Sequence, residues 1–392
     1  MSTKTLQTWP EPVISVQTLS ESGVNTIPNR YIKPMHDRPD ALADDTLTAI
    51  PVVNLSHIFS DDSSVRGDTM RMIDKACREW GFFQVVDHGV SHELMGRMLG
   101  SWREFFKLPV EVKQVHANSP ATYEGYGSRV GVEKEAVLDW CDYFYLHFYP
   151  RSVRDPSKWP SLPASCRWVI KSAVSIISIQ PLELAEKLID ALDREVLAEY
   201  GEALADLSGR LMTIFSSNLG LTQGYLLEAF GERSACLRAN FYPKCPQPNL
   251  TLGLSPHSDP GGLTLLLADP TVAGLQIRKG NNWVTVRPLP NAFIVNLGDQ
   301  IQLLSNGIYR SVEHRTTVHS EHERISIAFF YNPEGDALVQ PANELVTDQR
   351  PARYPAMTFN EYRSFIRCKG LRGKSQVESL KLPNQLRSTS LT

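Results

Sequence analysis

Past Gly220 the spacing of apolar residues drops from the helical period of 3.6 to the strand period of 2, and this change decides what the chain can fold into. Alternating runs follow at Leu237–Tyr242, Leu263–Leu267, Leu275–Arg278, Trp283–Arg287, Ala292–Asn296, Ile308–Thr316 and Ile325–Tyr331. Short Gly, Asn, Asp or Pro turns separate most of them, as at Gly280-Asn281. Upstream the pattern is helical. In Val65–Trp80 the residues Met72, Ile73, Ala76, Cys77 and Trp80 share one face, and Gly81 is placed to stop the helix. Phe82–Val86 reads as a buried strand. Ser91 is a fitting N-cap for a second helix carrying Leu94, Met98, Trp102 and Phe105. A third helix bears the stripe Val196, Tyr200, Leu204, Leu207, Leu211 and Ile214, which Gly220 ends. These patterns predict a mainly β chain with flanking helices: a double-stranded β-helix (jelly roll) core, preceded by an N-terminal α/β region.

Composition narrows the function. The chain has 392 residues, of which 42% are hydrophobic, enough for one large core or two moderate ones. Forty Lys plus Arg against 43 Asp plus Glu leave a net charge of -3, so there is no basic excess for the phosphate contacts of a nucleic-acid binder. The six cysteines are scattered without a CxxC pair, which favours reduced thiols. The first residues lack the apolar stretch of a secretory signal, and no apolar run is long enough to span a bilayer. A cytoplasmic protein without membrane partners is expected.

The chemistry sits on the alternating segments. His257 and Asp259 stand two apart on an extended chain, so both side chains face one way and Ser258 faces the other. His314 lies on a distant alternating run that a rolled sheet can bring alongside. Two imidazoles and a carboxylate are three facial ligands that leave open positions, the set used for non-haem Fe(II). A lone HxD pair is a weak signal, but Arg324-Ile325-Ser326 strengthens it. Arg324 opens an apolar strand and shares a face with Ser326, so once buried it needs an anion. The 5-carboxylate of 2-oxoglutarate suits a bidentate guanidinium, and Tyr242 can add a hydroxyl.

Asn240–Pro246, His257-Ser258-Asp259, His314 and Arg324-Ile325-Ser326 together resemble the plant 2-oxoglutarate/Fe(II)-dependent dioxygenases, and Trp80–Val90 is similar to their N-terminal signature. Within that group Tyr31–Pro34, Tyr123–Lys134 and Gly373–Ser379 resemble the jasmonate-induced oxygenases, or jasmonic acid oxidases, of plant defence and hormone catabolism. The resemblance implies Fe(II) on His257, Asp259 and His314, and 2-oxoglutarate on Arg324, Ser326, Tyr242 and Asn240. It further implies a substrate carboxylate held by Arg238, Arg363 and Arg367 between Phe330 and Phe359. The reaction implied consumes O2 and 2-oxoglutarate, with ascorbate as supporting reductant, and converts jasmonic acid to 12-hydroxyjasmonic acid, lowering the active hormone. Arg363 and Arg367 would share a helix face. Two alternatives stay open: a dioxygenase acting on a flavonoid or another small plant acid, and a jelly-roll binding protein without activity.

On this reading the chain divides into an extended N-terminal segment (1–47), an N-terminal dioxygenase region (48–165), a helical region (166–231), a jelly-roll core (232–334) and a C-terminal helix and tail (335–392). Trp168–Arg194 departs from the family pattern, either as an insertion built of extra helix or as a translated intron. Phe241, Glu135 and Cys141 are smaller departures. The pattern gives no oligomeric state.

Overall fold

A computed structural model describes residues 9–12, 14–39, 50–154, 159, 182–369 and 373–383; the side chains of 182–195 and 365–369 lie outside the described set. The strands are β1 (Val52–Asn54), β2 (Phe82–Val86), β3 (Gly125–Gly127), β4 (Asp142–Tyr149), β5 (Ser234–Tyr242), β6 (Leu254–His257), β7 (Leu263–Ala268), β8 (Leu275–Lys279), β9 (Asn282–Thr285), β10 (Phe293–Leu297), β11 (His314–Thr316) and β12 (Arg324–Asn332). Eight form one sheet in the order β1-β2-β10-β7-β12-β5-β4-β3, and four form a second in the order β6-β11-β8-β9. The expected mainly β chain with flanking helices is what is found.

Alternation divides the large sheet between two tasks. Leu237, Ala239 and Phe241 of β5, Ile325, Ile327 and Phe329 of β12, and Leu263, Leu265 and Leu267 of β7 turn to one side. There they pack with Met98, Trp102 and Phe105 of the helix His92–Phe106 and with Leu204, Leu211 and Phe215 of the helix Leu182–Asn218. The opposite face looks across at the four-stranded sheet, and the candidate site lies between them.

Caps place the helices. Asp62 accepts from Ser64 N at the start of Ser63–Glu79, and Ser91 accepts from Leu94 N at the start of His92–Phe106. Gly81 ends the first of these with φ +62°, where a Cβ would stand 2.2 Å from Arg310 O, so no other residue fits without a backbone shift.

Three expectations change. The segment read as extended up to residue 47 contains a helix, Val16–Glu21, because buried Asp142 of β4 accepts from Ser15 Oγ (2.7 Å), Val16 N (2.8 Å) and Gln17 N (3.0 Å) and so satisfies the helix start. The run Ile308–Thr316 forms a strand only from His314, since Asn306 and Gly307 take positive φ and Arg310 N and Ser311 N bond to Cys77 O and Gln302 Oε1 instead of to a strand. The third helix begins at Leu182 rather than near Val196. The proposed insertion Trp168–Arg194 lies outside the described residues as far as 181.

Candidate active site

Register joins what sequence separates. His314 of β11 is the direct antiparallel partner of His257 of β6, and the two rings lie 4.2 Å apart. Asp259 follows just beyond β6, with Oδ1 at 3.6 Å from His257 Nε2 and 3.7 Å from His314 Nε2. One ligand atom from each of the three lies within 4.8 Å of the others, and all three residues are buried. The remaining valences are taken elsewhere. His257 Nδ1 is 2.8 Å from Ser255 O, and His314 Nδ1 is 3.1 Å from Val312 O, which turns both Nε2 atoms inward. Asp259 Oδ2 accepts from Thr264 Oγ1 (2.6 Å) and Asn296 Nδ2 (2.7 Å), leaving Oδ1 for an ion. Burial alone would raise the Asp259 carboxyl, yet the charge of His314 and the hydrogen bond with His257 hold it below the ordinary carboxylate range. Burial first, and then His257, push His314 down to about 4, so it is neutral and ready to ligate near pH 7. A hard-to-intermediate divalent ion fits this donor set.

Next to it a second set lies on the inward face of the large sheet. Arg324 pairs with Tyr242 and Ser326 with Asn240 across β12 and β5. The Arg324 guanidinium sits 4.3 Å from the Tyr242 ring centre, and its buried Nε has no hydrogen-bond partner among the described residues. Asn240 Nδ2 reaches Ser326 Oγ at 3.4 Å, while Asn240 Oδ1 is buried without a partner. Groups left unsatisfied in this way are costly unless a ligand completes them. A carboxylate at Arg324 and Ser326 can supply the acceptor that Arg324 Nε lacks, while Asn240 Oδ1 calls for a donor.

A cavity of about 230 Å³ contains both sets and continues past them to Arg238, Phe330, Phe359 and Arg363. Arg238 lies opposite Ala328, two positions along β5 from Asn240, and its guanidinium rests 4.2 Å from the Tyr143 ring centre with Nε buried and unpartnered. Arg363 stands 5.7 Å from the Phe359 ring centre on the helix Phe359–Lys369. The structure thus brings together His257, Asp259, His314, Arg324, Ser326, Tyr242, Asn240, Arg238, Arg363, Phe330 and Phe359 in one cavity. Arg367 lies on the same helix, and its side chain is outside the described set.

Sequence reasoning missed Thr264 and Asn296, which orient Asp259, and Tyr143 and Tyr145, which wall the cavity from β4. Asn296 left a signal: a lone amide in the apolar run Phe293–Leu297. Strand β4 was legible in the aromatic run Tyr143–Tyr149, which fits a half-buried pleat.

Comparison with known proteins gives the same class. Residues 233–333 match the 2OG-Fe(II) oxygenase superfamily, and residues 50–162 match the non-haem dioxygenase in morphine synthesis N-terminal family. The chain is 51% identical to jasmonate-induced oxygenase 3 of Arabidopsis thaliana, over 96% of this chain and 99% of that protein. It is 53% identical to jasmonate-induced oxygenase 1 of the same plant, over 95% and 87%. Oxoglutarate-dependent flavonoid 7-O-demethylase 1 of Ocimum basilicum is 36% identical, over 95% and 92%. The crystal structure of JOX2 in complex with 2OG, Fe and JA superposes with a TM-score of 0.83 at 51% identity, covering 96% of this chain and all of that one. The chain belongs to the 2OG-Fe(II) oxygenase superfamily, and it is a 2-oxoglutarate- and Fe(II)-dependent dioxygenase.

Proposed function

We propose that the enzyme hydroxylates jasmonic acid to 12-hydroxyjasmonic acid, with His257, Asp259 and His314 holding Fe(II) and Arg324, Ser326, Tyr242 and Asn240 holding 2-oxoglutarate. The observation that carries this reading is that one cavity offers guanidinium groups at two separate stations, Arg324 at one and Arg238 with Arg363 at the other. A dicarboxylate co-substrate accounts for the first. The second suits a small acid with an apolar body, which Phe330 and Phe359 flank. Arg367, one turn beyond Arg363, belongs to the same proposal. The similarity to jasmonate-induced oxygenases over nearly the whole chain supports this choice over a neutral flavonoid.

When bound, Fe(II) and 2-oxoglutarate supply the oxidising chemistry that turns O2 and the keto acid into succinate, carbon dioxide and a hydroxylated product. The protein residues supply position. The two backbone-anchored imidazoles and Asp259 fix the metal on one wall. Arg324 draws one carboxylate of 2-oxoglutarate to the far end of its strand. Arg238 and Arg363 anchor the substrate by its carboxylate, so the carbon presented to the metal is set by the molecule's length. The jelly roll is read as the pair of facing sheets, with β1 and β2 and their preceding helices as the N-terminal α/β region. Cys77, Cys141, Cys236 and Cys245 are buried thiols outside any disulfide, in keeping with the expected reduced cysteines.

Purified protein with Fe(II), ascorbate and 2-oxoglutarate, offered jasmonic acid or a flavonoid panel and read by mass spectrometry, tests the reading. Hydroxyjasmonate is expected; turnover of a flavonoid with none of jasmonate would overturn it. Replacing Arg238 by Ala is expected to raise the jasmonate KM roughly tenfold through loss of a charge-assisted contact. The KM for 2-oxoglutarate should stay where it is.

A further inference from the structure

Among the buried carboxylates that the mechanism above does not use, Asp299 bonds directly to the residues of the site. Asp299 is fully buried at the start of the short helix Asp299–Leu304. Its Oδ2 accepts from Tyr362 Oη (2.6 Å) and from Ser258 Oγ (3.1 Å), and its backbone N donates to Asp259 O (2.8 Å). Tyr362 immediately precedes Arg363 on the helix that also carries Phe359, whereas Ser258 separates His257 from Asp259. One carboxylate therefore bonds to both halves of the site. The C-terminal segment repeats the connection: Gly373 N donates to Pro256 O at 2.8 Å, making a bridge beside His257, and Lys374 Nζ donates to Gln302 Oε1 at 2.9 Å on the helix that Asp299 begins.

We propose that Asp299 is a positioning residue that, through Tyr362 and Ser258, fixes the substrate-holding helix relative to the metal-holding loop. This rests on the reading of Arg363 and Phe359 as substrate contacts. Hydrogen bonds to a buried carboxylate are directional and among the stronger ones in proteins, so they set a distance as well as holding two elements together. If the substrate is anchored at its carboxylate while the reacting carbon sits at the metal, that distance determines which carbon is attacked. It also determines how much co-substrate is consumed for each product formed.

The test compares wild type with Tyr362→Phe, Ser258→Ala and Tyr309→Phe. The last is a matched control, because Tyr309 Oη donates to Asp74 Oδ1 at 2.9 Å and Tyr309 does not line the cavity. Succinate and hydroxylated product are counted together, product isomers are resolved, and amide exchange of residues 359–369 is followed in the protein without metal or substrate. Tyr362→Phe and Ser258→Ala should each raise succinate per hydroxylated product roughly tenfold, the loss of about one charge-assisted hydrogen bond. Both should yield more than one isomer, and Tyr362→Phe should speed exchange in the helix. Tyr309→Phe should lower the melting temperature while keeping the wild-type ratio and isomer. If Tyr362→Phe and Ser258→Ala behave like that control, or if only one of them changes the ratio, the positioning role is overturned. Failure of the jasmonate reading is separate, because it would appear in wild type as the absence of any jasmonate product.

Discussion

The wall proposed for the metal and the wall proposed for the substrate are built in opposite ways. At the metal wall every ligand is already held: Nδ1 of both histidines faces a carbonyl, and Asp259 Oδ2 is taken by Thr264 and Asn296. At the substrate wall Arg238 Nε is buried without a partner, and the groups come from β5, β12 and a C-terminal helix rather than from one register. The first wall spends its hydrogen bonds on geometry before any ligand arrives. The second leaves Arg238 Nε without a partner among the described residues. A site assembled from separate elements can change specificity while the chemistry stays fixed.

The largest way to break this contrast is at the metal. Replacing His257 by Ala removes one of three ligands, and turnover is expected to fall at least about a thousandfold, below detection in a product assay. Thermal stability without metal should change little by comparison, since the ring is held through one Ser255 carbonyl contact. A milder variant tests whether preorganisation matters at all. Asn296→Ala keeps all three ligands but frees Asp259 Oδ2 of one of its two donors, so Fe(II) affinity is expected to drop roughly 10- to 100-fold. Metal titration of the two proteins side by side measures this. An Asn296→Ala protein with wild-type affinity would show that Thr264 alone orients the carboxylate. Arg238→Ala, by contrast, should leave Fe(II) affinity untouched, which separates the two walls experimentally.

The same contrast explains what could be read from the sequence. His257, Asp259, Arg324 and Ser326 were legible because period 2 determines which residues face together, while His314 entered through the expectation that a rolled sheet brings distant strands side by side, as β6 and β11 are. Tyr242 came from its place at the end of the run on β5, whereas Asn240 came only with the family resemblance. Arg238, Arg363 and the aromatic walls were reached only through family resemblance: strand period gives Arg238 and Phe330 a face but no ligand, and no local rule tells that the helix bearing Phe359 and Arg363 will border the cavity. Asp299 and Thr264 were invisible for a different reason: their role lies in side-chain hydrogen bonds, Thr264 to Asp259 and Asp299 to Tyr362 and Ser258, and a lone Asp or Thr has no period. The helix Val16–Glu21 escaped because, beyond its local Ser15 cap, its start is completed by Asp142 far along the chain rather than by a capping box.

The smallest expected effect concerns the element that joins the two walls. Burial, offset in part by hydrogen bonds from Tyr362 and Ser258, raises the Asp299 carboxyl to about 6 from an ordinary value of 3.8. An acid whose folded value lies above its unfolded one binds more protons when folded, so its stabilising contribution is complete below the unfolded value and is lost as pH rises through about 6. Near neutral pH the wild type therefore carries a buried negative charge that strains the junction. Asn in its place keeps one oxygen to accept from Tyr362 and Ser258 and carries no charge. Urea unfolding of both proteins without metal should show Asp299→Asn gaining on wild type between pH 4 and pH 7.5, by on the order of 2 kcal/mol. A gap that stays constant across that range would mean that Asp299 ionises as readily in the fold as out of it, and that the junction between the walls is held by geometry without an electrostatic cost.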